Sequence, residues 1–142
     1  MLAYFVFTNH VNVFPWNNLE RAGRQFNSTL MGLIPGVLVS VAIWTRSRLG
    51  LWFASIWLLV WLVLQLLQWW LPYLTGQSIL AEDFSWYFVQ GYQQTLHWLP
   101  LRADRPVPDA QHNLLQLLSM LCLLTTARLT LGVTMRKLQR LG

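Results

Sequence analysis

The sequence predicts an all-α integral membrane protein with three transmembrane helices, with four as the alternative, and an amphipathic helix in the outer interface. Hydrophobic residues make up 55% of the 142 positions and charged residues only 11%, against roughly 25% charged in an ordinary soluble domain. Five acidic and ten basic side chains are too few to cover a soluble surface of this size. Nine Trp, seven Phe and four Tyr exclude disorder, which goes with few aromatics and high charge. The net charge of +5 reflects scarce acids. Its bases are scattered in small groups between apolar stretches rather than clustered into a footprint for phosphate backbones, so no nucleic-acid partner is expected.

The amino-terminal segment, 1–28, reads as an interfacial element. Met1 to Phe7 is apolar, but no base precedes it and the first is Arg21, unlike a signal peptide. Leu2 to Phe14 contains Asn9, His10 and Asn12 and is shorter than the roughly 20 residues a span requires. If it crosses nonetheless, the protein has four spans.

The first span is 29–45, beginning near Asn27 or Ser28, either of which can cap its free amides. Pro35 can kink it. Ser28, Gly32, Gly36 and Ser40 recur every four positions, and Gly32 with Gly36 forms a GxxxG step that lets another helix approach closely. The second span, 49–71, is the strongest, uncharged from Leu49 to Trp70. Trp52 lies near one end and Trp69 and Trp70 at the other, about 27 Å apart along a helix, so they read as interfacial anchors. Pro72 and Gly76 punctuate its end. The third span, 113–133, carries Arg128, close enough to the end to snorkel. Gln116, Ser119, Thr126 and Thr130 share a broad helical face that should turn toward neighbouring helices. Cys122 stands alone and reads as a small buried hydrophobe.

Orientation follows from charge. Arg46 and Arg48 join the first two spans, and Arg136, Lys137 and Arg140 sit in the tail, 134–142, which places both in the cytoplasm of a bacterial-type plasma membrane. The segment 76–112 has Arg102 and Arg105 against Glu82, Asp83, Asp104 and Asp109 and belongs outside.

Within that outer segment, residues 79–99 predict one amphipathic helix. Phe84, Tyr87, Phe88, Tyr92 and Thr95 fall on one side, and Asp83, Gln90, Gln93, Gln94 and His97 on the other. Trp98, Leu99 and Pro100 end it, and Arg102 to Pro108 forms a stiff connector. Asp109 and His112, three residues apart at a helix start, can face one direction as an acid/base pair or share a metal. Asp109 is equally explained as a carboxylate at a helix N-terminus. Tyr73, His97, Arg105, Asp109 and His112 form the candidate outer site.

The run Trp69, Trp70, Pro72, Tyr73, Gly76, then Phe84, Thr95, Leu99, Pro100, and finally Pro106, Pro108, Asp109 and His112 resembles a pattern in small bacterial multi-pass membrane proteins of no known activity. It covers about a third of the chain. The resemblance implies a distinct outer structural unit and no particular chemistry.

No phosphate cradle, nucleophile elbow, zinc-protease helix, CxxC pair or dinucleotide glycine pattern occurs. Nothing here supports an enzyme, and no cofactor, metal or catalytic residue is assigned. The expected role is an accessory or helix-packing interaction protein in which Gly32, Gly36 and Ser40 pack a helix and the Trp-rich second span contacts the lipid bilayer or a partner, either another membrane protein or a second copy. One alternative is an outer site that binds a lipid headgroup, metal or small solute and acts on it. Another is a transporter subunit, working as an oligomer with Arg128 lining a polar interior.

Overall fold

The computed structural model describes the backbone of residues 1–139 and the side chains of residues 1–135. Six α-helices follow in order: α1 Leu2–His10, α2 Leu19–Ala22, α3 Phe26–Thr45, α4 Arg48–Thr75, α5 Ser85–Val89 and α6 Ala110–Gln139. A single 3-10 turn covers Tyr92–Gln94, and an isolated antiparallel bridge joins His97 to Asp109. The described residues contain no strand.

Three helices, α3, α4 and α6, are long and apolar enough to cross a membrane. Their outward faces carry large apolar side chains such as Met31, Ile34, Trp44 and Leu49, all more than half exposed. A chain in water would bury these; lipid would cover them. At nine residues, or about 13 Å, α1 is too short to be a fourth span.

α4 lies between α3 and α6, packing on both. α3 begins at Phe26 with Gln25 at the cap position, where its side chain makes no capping bond, and neither Asn27 nor Ser28 takes that place. It ends where Arg46 turns left-handed, and the Ser47 hydroxyl accepts the Gly50 N–H at 3.4 Å to start α4. α4 runs through Pro72 to Gly76, whose positive φ of 72° lets its N–H reach the Pro72 carbonyl. α4 and α6 are tied by polar side chains at three levels. Ser55 meets Thr130 at 3.0 Å, Gln65 donates to Ser119 at 3.1 Å, and Trp70 donates to Gln116 at 2.6 Å. The expected inward face of α6 is therefore its packing face, with Gln116, Ser119, Thr126 and Thr130 all buried.

The chain outside the long helices gathers at one end, here the cap, where α3 and α6 begin and α4 ends. The Pro15 carbonyl accepts from Leu96 N–H at 2.7 Å, and the Leu96 carbonyl accepts from Ala110 N–H at 2.7 Å. These two bonds link the amino-terminal loop, the outer segment and α6.

The long amphipathic helix expected over 79–99 does not form. Asp83 caps a single short helix, accepting from Ser85 N–H and hydroxyl at 2.9 and 2.6 Å, and Gly91 stops it with a φ of 72°. A Cβ at Gly91 would stand 2.8 Å from Arg21 Cδ, so glycine serves both the turn and the docking of α2. The aromatic side still packs inward, with Tyr87 fully buried.

The glycine step of α3 takes a close helix contact, as its spacing predicts. Its partner is α1, whose Phe5 lies over Gly32 and whose Leu2 lies over Gly36, 2.7 Å from the site of a Cβ. Ser28 and Ser40 remain exposed, Ser40 bonding back to the Gly36 carbonyl. The seam is thus filled from within the chain. In the 134–142 tail, Thr134 and Met135 continue α6, and the side chains of Arg136, Lys137 and Arg140 lie outside the described residues.

Candidate functional site

Asp109 is the residue immediately before α6 and is completely buried. Its Oδ1 accepts from His112 N–H at 2.8 Å and lies 2.7 Å from His112 Nδ1. Its Oδ2 lies 3.0 Å from the Thr95 hydroxyl, which shares its one hydrogen with the Tyr92 carbonyl at 2.7 Å. Burial alone would raise the carboxyl's pKa. The charge His112 carries when protonated, its ring hydrogen bond, the His112 N–H and the Thr95 hydroxyl outweigh it and hold Asp109 below the ordinary carboxylate range.

An ionised carboxylate only accepts, so the proton of that contact sits on His112 Nδ1. Among the described residues, Nε2 makes no hydrogen bond to the protein. The ring is fixed by Trp69, stacked on it with centroids 3.9 Å apart at 34°, and by Tyr92, edge-on at 5.4 Å. Burial, then the Asp109 charge, pushes the Tyr92 phenol up to about 12, so it stays protonated.

Trp69 is therefore no exposed interfacial anchor. It is 5% exposed and is the hub of an aromatic cluster with Trp86, Tyr87 and Tyr92, because the outer segment folds down onto it. Trp52 does stand exposed, while Trp70 is half-buried against Gln116.

His112 lines a cavity of about 330 Å³ between α1, α2, α3, α4 and α6 at the cap end. Its polar groups are mostly amides, Asn9, Asn17 and Asn18 from the amino-terminal segment, Gln65 and Gln68 from α4, and Gln111 beside the histidine, set among apolar side chains such as Phe5, Met31, Trp61 and Leu115. Among the described residues, no Asp, Glu, Lys or Arg lines it. Gln65 Nε2 is used by Ser119, but its buried Oε1 receives no donor from the described residues. An unmatched buried acceptor costs about 1–3 kcal/mol.

The other residues of the expected outer site go elsewhere. His97 Nδ1 donates to the Thr95 carbonyl at 2.7 Å, which leaves Nε2 to accept from the Tyr87 hydroxyl at 3.2 Å. It braces the strip holding Thr95 and does not line the cavity. Arg105 pairs with Asp104 at 2.6 Å and lays its guanidinium over Gly76, where it faces the carbonyl end of α4. Tyr73 packs edge-on to Trp70. Arg128 is exposed on α6. Among the described residues no cluster of three or more His, Cys, Asp or Glu forms, and Asp109 with His112 falls short of the three protein ligands of a typical metal site.

Sequence reading paired Asp109 with His112 but passed over Gln65 and Gln68. Two amides three residues apart in an otherwise apolar span are the available signal, since a polar side chain in a membrane helix turns to the interior. The chain matches no known family model, curated protein or solved structure. Fold and site together define an all-helical protein with three potential spans and a partly open, mixed-polarity cavity at the cap end.

Proposed function

We propose that this is a small multi-pass membrane protein whose cap-end cavity binds an uncharged hydrogen-bonding ligand, with His112 as the central acceptor and Asp109 its positioning residue. The observation that carries the reading is the coupling of a buried, fully bonded Asp109 to His112 on the wall of a cavity whose polar groups are mostly amides. Volumes of this size fit small ligands. In the neutral ring, donation from Nδ1 to a carboxylate leaves Nε2 unprotonated, a stronger acceptor and a competent general base. The helix-packing role expected from the glycine step has less support, because α1 occupies that step.

All five acidic residues lie in the cap segments, and Arg46 and Arg48 at the opposite turn. This favours a cap outside and a basic cytoplasmic end in a bacterial-type plasma membrane.

The test is nuclear magnetic resonance of the His112 imidazole in phospholipid nanodiscs. Glycerol, glucose and their monoacyl or alkyl derivatives serve as probes. A saturable shift of the His112 signals is expected with at least one probe, lost in Asp109→Asn. If none perturbs His112, the binding reading fails.

A further inference from the structure

Two further pockets adjoin the cap-end cavity along the helices. Phe5, Trp61 and Leu115 line both it and a narrow neck of about 20 Å³, whose wall continues through Met1, Leu2, Val39 and Leu58. The neck has room for about one water or methylene. Met1, Leu2, Gly36, Val39 and Leu58 in turn line an apolar crevice of about 340 Å³ between α3 and α6. That crevice exists because α1 fills only the cap half of the groove. Ser40 and Thr125 on its rim are exposed, so it opens sideways to whatever surrounds the helices. From Leu115 at the neck to Leu129 at its far end, α6 rises about 21 Å, compared with the ~15 Å that one leaflet's chains cover.

We infer that the ligand is a single-chain amphiphile, with an uncharged, hydroxyl-bearing head beside His112 and its hydrocarbon chain in the α3–α6 crevice. This rests on the binding reading above and adds the ligand's class. The lining without Asp, Glu, Lys or Arg disfavours a charged head, which would enter a site without a counter-ion. A hydroxyl matches the acceptor His112 Nε2, with the buried, unmatched Gln65 Oε1 in the same wall, and also accepts from the amide N–H groups around them. The order along the axis is that of a lipid in one leaflet: polar lining at the cap, apolar lining toward mid-membrane. Hydrocarbon in the crevice gains contact with Val39, Leu58, Leu118 and Leu121 that water cannot provide.

The probe is a monoacylglycerol carrying a photoreactive diazirine in its chain, added to the full-length protein in phosphatidylcholine nanodiscs. Labelling is expected on Met1–Leu2, Val39–Ile43 and Leu118–Leu129. Excess unmodified monoacylglycerol should compete and glycerol at equal concentration should not. His112→Gln is expected to reduce labelling at least tenfold without affecting a diazirine alkane that has no head. Ser40→Phe and Thr125→Phe, both at exposed rim positions, should block labelling while leaving the fold and the response of His112 to glycerol intact. If glycerol shifts His112 as tightly as the monoacylglycerol does and the crevice is not labelled, the ligand is a free polyol and the inference falls while the cavity reading stands. Equal labelling by the headless alkane, insensitive to His112→Gln, would also overturn it. If neither probe perturbs His112, both fall together.

Discussion

Trp69 and His112 lie ring on ring with centroids 3.9 Å apart, and Asp109 holds the other side of the imidazole through Nδ1 at 2.7 Å. One residue comes from the last turns of α4 and the other from the first turn of α6. The pair therefore joins the cap to the helix bundle while fixing the ring that faces the cavity. Stacking restricts the plane of the imidazole, and the carboxylate selects its tautomer; neither alone would leave a defined acceptor toward the cavity.

Asp109→Asn should release the tautomer while keeping the side chain's shape. Loss of the charge-assisted bond to His112 is expected to cost about 1.5–3 kcal/mol, discounted where the amide retains the N–H contacts. Nitrogen-15 spectra of His112 should change from a single Nδ1–H form to a mixture. An unchanged spectrum would mean that Asp109 does not position the ring.

The same carboxyl sets an acid dependence. Its folded pKa is depressed below the ordinary 3.8 of an aspartate, so its contribution to stability is complete above that value and is lost as pH falls through the folded pKa. Thermal unfolding in detergent between pH 7 and pH 2 should show a decline at the acid end that Asp109→Asn flattens. Asp83 and Asp104 also have lowered pKa values, but they are exposed and screened, so Asp83→Asn and Asp104→Asn should change the decline much less.

Gly32→Ala tests the docking of α1. The new Cβ would overlap the Phe5 ring, so α1 must shift or detach, at a loss of about 1–3 kcal/mol by overpacking. Phe5→Ala in the same chain should recover part of that loss, because the clash disappears. A double-mutant cycle of melting temperatures measures the coupling, and strict additivity would refute the contact.

The long helices were legible because their signal is composition summed over twenty or more residues. Nothing but packing is needed to turn Gln116, Ser119, Thr126 and Thr130 inward. The cap was less legible because its geometry depends on contacts distant in sequence. Gly91 ends a helix that aromatic periodicity would continue, and its reason is Arg21, seventy positions earlier. Trp69 carries the signature of an interfacial anchor, and only the folded outer segment buries it. Asp109 and His112 were readable as a pair from local spacing, whereas Arg105 was attracted to the group by proximity in sequence and goes instead to the end of α4. The glycine step announced a close helix contact without saying which helix; α1, short and polar at one end, gave no spanning signal of its own.

Gln65→Leu separates binding from stability. In the native protein the Gln65 amide spends its N–H on Ser119 and leaves Oε1 without a donor on the cavity wall. Ser119 also donates to the Leu115 carbonyl at 2.8 Å, so its hydroxyl stays satisfied after the change. Replacing the unmatched amide by an apolar side chain of similar length should leave stability unchanged or raise it by up to about 1 kcal/mol. A residue kept only for the α4–α6 contact would instead lose about 0.6 kcal/mol with its interhelical bond. The variant should retain the Nδ1–H form of His112, since Asp109 is untouched, yet lose the saturable response to hydroxyl-bearing probes. A stable variant with unaltered ligand response would remove Gln65 from the site and confine recognition to His112 and the remaining amides.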